Sequence, residues 1–170
     1  MRKLSASILL LAIFSFFTTS FAVAQSKTAH INFSELVQLL PEFKTASETL
    51  QKLTKDYQAQ IDQLTQEFKT KNDALEKDQA TMPAAIKDLK IKDLQDLQKK
   101  YEEFKQTAQT DIQKKREALF SPIVKKAKDA VEQIAKEKGY GYVIDSSAAQ
   151  YVYMNPADNI LELVKKKLGL

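Results

Sequence analysis

The chain has 170 residues, enough for one domain, and a formal net charge of +4. It contains no cysteine, one histidine and three glycines. This composition excludes disulfide bonds, a zinc site made of Cys and His ligands, and glycine-rich phosphate-binding loops. A Ser–His–Asp triad would depend on His30 alone and no nucleophile motif is present, so we expect no enzyme, no metal and no cofactor.

Residues 1–24 have the features of a secretory signal peptide. Arg2 and Lys3 give a positive start, an apolar run follows, and Ala22-Val23-Ala24 offers a cleavage site of small residues. The apolar run is shorter than the ~20 residues that a membrane-spanning helix needs. We therefore expect export and cleavage after Ala24, with an uncleaved amphipathic anchor as the alternative.

The segment 25–42 is predicted to form the N-terminal part of a small body, as a strand followed by a short helix. Its alternating apolar residues lie on one face, as a half-buried strand requires: Ala29, Ile31 and Phe33. Ser34 stands at a favourable N-cap position for the helix. Pro41 then interrupts the pattern, which predicts a kink before a longer helix.

The segment 43–120 is predicted to form two long helices that pack against each other. It contains no glycine, and most of its residues are good helix formers. Apolar residues recur three and four positions apart in two stripes, as in a coiled-coil seam. The first stripe consists of Phe43, Ala46, Leu50, Leu53, Tyr57, Ile61, Leu64, Phe68 and Leu75, and the second of Leu94, Leu97, Tyr101, Phe104, Ala108, Ile112 and Leu119. Near residues 80–84, Pro83 suits the first turn of a new helix.

The two stripes mirror each other about Met82-Pro83, which favours an antiparallel helical hairpin over one continuous rod. A turn at this point brings apolar residues face to face without adjustment in the pairs Phe68–Leu97, Leu64–Tyr101, Ile61–Phe104, Tyr57–Ala108, Leu53–Ile112 and Ala46–Leu119. With arms of about 40 residues, such a hairpin would extend about 60 Å.

Toward the tip the pairing fails, because Lys71 would face Leu94 and Lys90 would face Leu75. A lysine on the seam weakens packing locally, although its stem can still cover apolar surface. We interpret the tip as loosely packed, with apolar side chains available for contact with a bound protein: Met82, Ile86, Leu89 and Ile91. Ordinary imperfection of the seam is the alternative interpretation.

The segment 121–170 is predicted to complete the body with the end of the returning helix, a β-hairpin and a terminal helix. Pro122 should kink the returning helix, and Gly139 should end it. Two aromatic runs, Tyr140 to Asp145 and Gln150 to Met154, flank small turn residues and predict the β-hairpin. Asn155-Pro156 predicts the start of the terminal helix.

Both chain ends are therefore expected to build one small sheet, with the strand near Ala29 to Phe33 as the partner of the β-hairpin. A sheet of three or four short strands with one helix is a poor core, and its free edges need cover. Self-association would supply that cover. The predicted class is α+β, mainly α, with an oligomerisation body that includes Ala29, Ile31, Phe33, Tyr142, Ile144 and Val152.

With these elements in place, the chain resembles the Skp/OmpH family of chaperones over nearly the whole mature sequence. The resemblance is carried by AHINFSELVQLLPEF at the start and by VEQIAKEKGYGYVIDSSAAQYVYMNPADNILELVKKKLGL at the end. It implies a jellyfish-like homotrimer in the periplasm, in which a β-rich body carries three helical tentacles around a cavity. It also implies an ATP-independent holdase that keeps unfolded outer-membrane β-barrel proteins from aggregating.

The family has basic tentacle tips, and the charge of the tip in this sequence departs from that pattern. Basic and acidic residues are nearly balanced from Lys71 to Asp93. The resemblance therefore carries over no lipopolysaccharide site, and we expect no nucleic-acid partner. A contact with a membrane surface has no basic patch to support it.

Two other functions fit parts of the sequence. An exported coiled-coil spacer or adaptor that binds one folded envelope partner would explain the arms but not the sheet at their base. A protein that binds envelope polyanions would depend steeply on salt, and the balanced tip argues against it.

Overall fold

The structure, a computed structural model, describes residues 26–78, 80–148 and 150–170. The predicted signal peptide and its cleavage site lie outside these residues. The elements in chain order are strand β1 (Lys27–Ile31), helix α1 (Phe33–Leu39), helix α2 (Pro41–Asp78), helix α3 (Ala84–Lys138), strand β2 (Tyr140–Asp145), a short 3₁₀ helix (Pro156–Asp158) and helix α4 (Leu161–Leu168). The described chain is mainly helical, as the sequence predicts, and its sheet has two strands where three or four were expected.

Helices α2 and α3 pack against each other as an antiparallel hairpin. The rings of Phe43 and Phe120 lie 5.3 Å apart, and those of Tyr57 and Phe104 lie 5.7 Å apart. The Tyr57 hydroxyl also donates a hydrogen bond of 2.8 Å to Asp111. These contacts join the two apolar stripes within a few positions of the predicted facing pairs. Because α2 has 38 residues, it is about 57 Å long.

Pro83 stands immediately before α3 with a φ of −57°, which suits the start of a helix. Its carbonyl accepts hydrogen bonds from the N–H groups of Ile86 and Lys87, each at 3.0 Å. At the end of α2, the Thr81 N–H donates to the Asp78 carbonyl at 3.1 Å. The connection between the helices is therefore short, at the position that the mirrored stripes predict.

Helix α3 has 55 residues and extends well beyond the base of α2. Pro122 lies inside α3, and the helix continues past it to Lys138 with Gly139 as its cap, as the sequence predicts. A proline inside a helix costs about 3 kcal/mol, and packing on both sides offsets that cost here. Phe120 contacts Phe43, and Ile123 is buried in the body.

Helix α1 begins two residues earlier than the Ser34 cap predicts. Asn32 is the N-cap, and its side chain accepts a hydrogen bond of 3.1 Å from the Glu35 N–H. Phe33 is therefore the first residue of the helix, and not the last residue of the strand. Its N–H donates to Asp145 at 3.2 Å, which ties the start of α1 to the end of β2.

Strands β1 and β2 pair in parallel as a two-stranded sheet. Parallel strands require a long crossover connection, and helices α1 to α3 supply it between β1 and β2. Lys27 pairs with Tyr140 and Thr28 with Tyr142, so Gly141 forms a bulge. A Cβ atom at Gly141 would overlap the Ser26 hydroxyl, which explains glycine at this position.

The predicted β-hairpin is wrong, since residues 150–154 form no strand. After β2 the chain passes to the other edge of β1, where Asn159 forms an isolated bridge with His30. The Ile160 N–H donates to the His30 carbonyl at 3.0 Å. A tight hairpin would keep residues 150–154 beside β2, whereas Asn159 must reach the opposite edge of β1. The run from Gln150 to Met154 is therefore part of the connection between the two edges, and we call it the crossing segment.

The terminal helix starts later than predicted. Asn155 does act as a cap, since its side chain accepts from the Ala157 N–H at 3.1 Å, but it caps the short 3₁₀ helix. Asn159 pairs with His30 of β1 in the isolated bridge and is therefore not helical. Its side chain accepts a hydrogen bond of 3.0 Å from the Leu161 N–H. Helix α4 therefore begins at Leu161.

The core lies where both chain ends meet the last turns of α3. Its largest fully buried side chains come from β1, α1, the segment before α4, and α4 itself: Ile31, Leu36, Leu40, Ile160 and Val164. Helix α3 contributes buried Ile123, Ala127, Ala130 and Ile134. The body is therefore built from both ends of the chain around one end of the hairpin.

We predict that Asp145 stabilises the body in a pH-dependent way. Desolvation raises the pKa of Asp145, but hydrogen bonds from the Ser147 hydroxyl and N–H and from the Phe33 N–H outweigh it, so the net pKa is lowered. The stabilisation is thus complete above the unfolded pKa of about 3.9 and is lost as pH falls through the lower folded value. Asp145→Ala should cost about 1 kcal/mol in the free energy of unfolding at about pH 7.

Thermal unfolding at several pH values checks this prediction. Asp145→Asn keeps an acceptor oxygen, so its deficit relative to wild type should shrink in acid, once the wild-type carboxyl is protonated. The exposed Glu48 on the hairpin supplies the control Glu48→Gln. A deficit of Asp145→Asn that persists unchanged in acid would contradict the prediction.

We also predict that the hairpin loosens independently of the body. Phe104→Ala removes the ring that contacts Tyr57 and should cost about 2 kcal/mol locally, less than for a fully buried phenylalanine. Amide hydrogen exchange should accelerate along α2 and the facing part of α3 but not in β1 and β2. Phe104→Leu is the matched control, and equal acceleration in both regions would count against the prediction.

Candidate functional site

The features of the described residues that suggest a function are surfaces. Among them, no three His, Cys, Asp or Glu side chains cluster in a way that could hold a metal ion. None of the buried residues in the described ranges is polar or charged. Within the same ranges, no helix combines the length and the apolar character needed to cross a bilayer. The surfaces of the hairpin and of the body are therefore the candidates for function.

His30 connects β1 to the chain at Asn155. Its Nε2 lies 3.0 Å from the Asn155 carbonyl, which can only accept, so this nitrogen carries the proton and donates. The Nδ1 atom is buried and has no hydrogen-bond partner within the described part of the chain. His30 therefore links β1 to Asn155, the residue that follows the crossing segment.

The six residues predicted for the oligomerisation body differ in how far a single chain buries them. Ala29 and Ile31 are buried inside the single chain, and Phe33 packs partly against the same core. Ile144 is half-buried. Tyr142 is 68% exposed and Val152 is fully exposed. Val143, and not Tyr142, packs against the core from β2.

Sequence reasoning missed two aromatic residues beside Val152. Tyr151 and Tyr153 are also exposed, and with Tyr142 and Val152 they make up what we call the aromatic rim of the body. Their sequence signal was the run QYVYM, which alternation assigned to a strand. Large exposed apolar patches are typical of interaction surfaces, so this rim is a candidate for one.

The seam of the hairpin is only half covered. Along the two stripes Ala46, Leu50, Leu94, Leu97 and Ala108 are buried, whereas eight predicted seam residues are only half-buried: Leu53, Tyr57, Ile61, Leu64, Phe68, Tyr101, Phe104 and Ile112. A gap of about 240 Å³ opens between Leu64, Phe68 and Tyr101. The hydrogen bond to Asp111 raises the pKa of Tyr57, which keeps this hydroxyl a donor. Two helices alone leave apolar side chains within reach of solvent along the arm.

The tip of the hairpin exposes aliphatic side chains. Leu89 is 59% exposed, Ile86 is 44% exposed, Ile91 is exposed to a smaller extent and Met82 is half-buried. We call these four residues the tip cluster. They lie among five lysines and five carboxylates, namely Lys71, Lys77, Lys87, Lys90 and Lys92, and Asp73, Glu76, Asp78, Asp88 and Asp93.

Ion pairing at the tip further reduces free charge. Lys71 pairs with Glu67 at 2.9 Å, and the hydrogen bond to Glu67 raises the pKa of Lys71. Leu94, which the sequence places opposite Lys71, is buried nevertheless. The tip is therefore neutral overall and apolar at its exposed positions.

Comparisons with known proteins agree with this architecture. The family described as "Outer membrane protein (OmpH-like)" matches residues 27–168. The chain is 28% identical to the chaperone protein Skp of Yersinia enterocolitica, over 88% of this chain and 90% of that protein. It is 27% identical to the chaperone protein Skp of Vibrio cholerae, over 96% of both chains.

A solved structure has the same fold. The crystal structure of an OmpH-like protein from Caulobacter crescentus CB15 superposes with a TM-score of 0.69 at 15% identity, over 90% of this chain and 89% of that chain. The family match covers both chain ends and the whole hairpin between them. The chain therefore belongs to the OmpH-like family, together with the Skp proteins that it resembles.

Proposed function

We propose that this protein is an ATP-independent holdase chaperone of the periplasm that binds unfolded outer-membrane β-barrel proteins and prevents their aggregation. The observation that carries the proposal is the hairpin of about 57 Å, whose seam is half open and whose tip cluster is exposed. The Skp relatives are named chaperones, and the family description refers to the outer membrane.

We further propose that three copies join through their bodies, so that three hairpins surround a cavity. The aromatic rim supports this assembly, because Tyr142, Val152 and Tyr153 are poorly covered in a single chain. The outer edge of β2 also has no described strand beside it, and a free edge favours pairing with another chain. A homotrimer would cover these groups and point the arms to one side.

Binding in this arrangement would depend on many weak contacts. Each exposed aliphatic side chain contributes little, but several arms that act on one client raise the effective concentration of contacts. An unfolded β-barrel protein exposes apolar residues and unpaired strand edges that would otherwise associate. Weak contacts leave such a client mobile while separating it from other clients, and they require no nucleotide.

A coiled-coil adaptor is the alternative function, and the tip cluster is the observation that favours it. Leu89, at 59% exposure, could dock on one folded envelope protein. An adaptor would bind a single folded partner tightly and would not protect unrelated unfolded chains. The two functions are therefore separated by the state of the bound protein.

We predict that the tip cluster contributes to holdase activity. Ile86→Gln, Leu89→Gln and Ile91→Gln together should raise the protein concentration needed to suppress aggregation of a urea-unfolded outer-membrane β-barrel protein at least about threefold, because exposed apolar contact area is lost. The conservative set Ile86→Val, Leu89→Met and Ile91→Val is the control and should retain activity. Light scattering after dilution from urea measures the effect, without ATP.

Salt provides a second readout in the same assay. Because the tip carries as many carboxylates as lysines, suppression should change little between roughly 50 and 200 mM salt. Equal aggregation with and without wild-type protein would refute the holdase function. Strong loss of suppression with added salt would instead point to a polyanion-binding protein.

We predict that Val152→Asp weakens self-association without unfolding the single chain. Val152 is fully exposed in one copy, so a charge there costs the monomer little, whereas a charge buried between copies is costly. Sedimentation should show a shift from trimer toward monomer, with unchanged helical content by circular dichroism. Gln106→Asp, at an exposed position on α3, adds the same charge as a control. A wild-type monomer would overturn the proposed assembly.

A further inference from the structure

A groove runs between α2 and α3 near the base of the hairpin. It has a volume of about 940 Å³, and we call it the basal groove. Its apolar side is formed by Phe43, Leu50 and Phe120, and the two phenylalanine rings meet edge to face at 5.3 Å. A groove of this size falls within the range of sites that hold small ligands or short peptide segments.

The charged residues of the basal groove are both cations. Lys55 and Arg116 line it, and no Asp or Glu does. Apart from Arg2 in the predicted signal peptide, Arg116 is the sole arginine of the chain. Across the described ranges, neither Lys55 nor Arg116 has a carboxylate within 4.0 Å. The groove thus offers two cations that are not paired internally.

The opposite side of the same hairpin is different. There a second groove is lined by Glu42 and Lys126, which pair with each other. The hydrogen bond from Lys126 lowers the pKa of Glu42, so this carboxylate stays ionised. The charge on that side is therefore satisfied within the chain, whereas the charge of the basal groove is available to a ligand.

We propose that the basal groove binds a peptide segment in which an aromatic side chain neighbours a carboxylate. Phe43 and Phe120 present ring faces and edges that favour another aromatic ring. The guanidinium of Arg116 can bind a carboxylate through two parallel hydrogen bonds, and Lys55 adds a second positive charge. The segment would come from a bound client, so this site rests on the proposed function.

Two sources of the carboxylate share this chemistry. It belongs either to an Asp or Glu next to the aromatic residue or to the free end of a chain whose last residue is aromatic. In both cases the groove adds a preference among client segments to the non-specific contacts of the seam and tip. Other clients would still bind through those contacts.

Fluorescence anisotropy with the full mature protein tests the site. Three labelled peptides of the same length are compared: one with an internal Phe-Glu pair and an amidated end, one that ends in phenylalanine with a free carboxylate, and one with Phe-Gln and an amidated end. At least one carboxylate peptide should bind about three- to tenfold more tightly than the neutral peptide. The peptide that gains affinity identifies the source of the carboxylate.

Two matched variants decide whether the groove is responsible. Lys55→Gln with Arg116→Gln should remove the preference for the carboxylate peptides. Lys44→Gln with Lys52→Gln removes the same charge from exposed positions of α2 outside the groove, and it should leave the preference intact. Equal binding of all three peptides, or equal loss in both variants, would overturn the proposed site.

Aggregation suppression by the same preparations separates this site from the proposed function. If the wild-type protein suppresses aggregation but shows no preference among peptides, the site is refuted and the holdase function stands. If the preference is present and depends on Arg116 and Lys55 while suppression is absent, the site stands and the holdase function is refuted.

Discussion

The packing of both chain ends onto the last turns of α3 is the constraint on which the rest of the structure depends. Helix α3 has 55 residues against 38 in α2, and its extra turns carry the buried Ile123, Ala127, Ala130 and Ile134. A hairpin of two helices buries only one stripe of each and has little core of its own. The arm is therefore anchored where α3 continues into the body, next to β1 and α4.

That constraint also explains the character of the surfaces. Leu64, Phe68 and Tyr101 remain half-buried, because only two helices are available to cover the seam. Toward the tip the two helices no longer cover each other's apolar side chains, and Leu89 is exposed to solvent. A shape of this kind offers weak apolar contact over a long distance instead of one deep pocket. The proposed holdase function depends on apolar side chains that stay partly exposed along the arm. The proposed peptide site depends on those that stay partly exposed at its base.

Local signals in the sequence predicted much of the hairpin and less of the body. The two stripes follow the helical period over many turns, and Pro83 marks the reversal. Spacing predicted Ala108 opposite Tyr57, and the ring of Tyr57 contacts Phe104, one helical turn away. The run from Gln150 to Met154 alternates like a strand but crosses to the far edge of β1, which no local pattern reveals. Asn32 replaced the predicted Ser34 cap because the strand ended two residues early.

Of the candidate surfaces, the tip was predicted from the sequence and the basal groove was not. Spacing placed Leu89 and Ile91 off the seam, and both are exposed. The basal groove could not be predicted, because Lys55 and Arg116 are far apart in sequence and meet only through the register of α2 against α3. By itself, the sequence determined the helices, the reversal between them and the apolar stripe of each, because these depend on neighbours within a few turns. Only the tertiary structure decided the parallel sheet, the exposed aromatic rim and the unpaired cations, since these depend on which distant segments share the base of the hairpin.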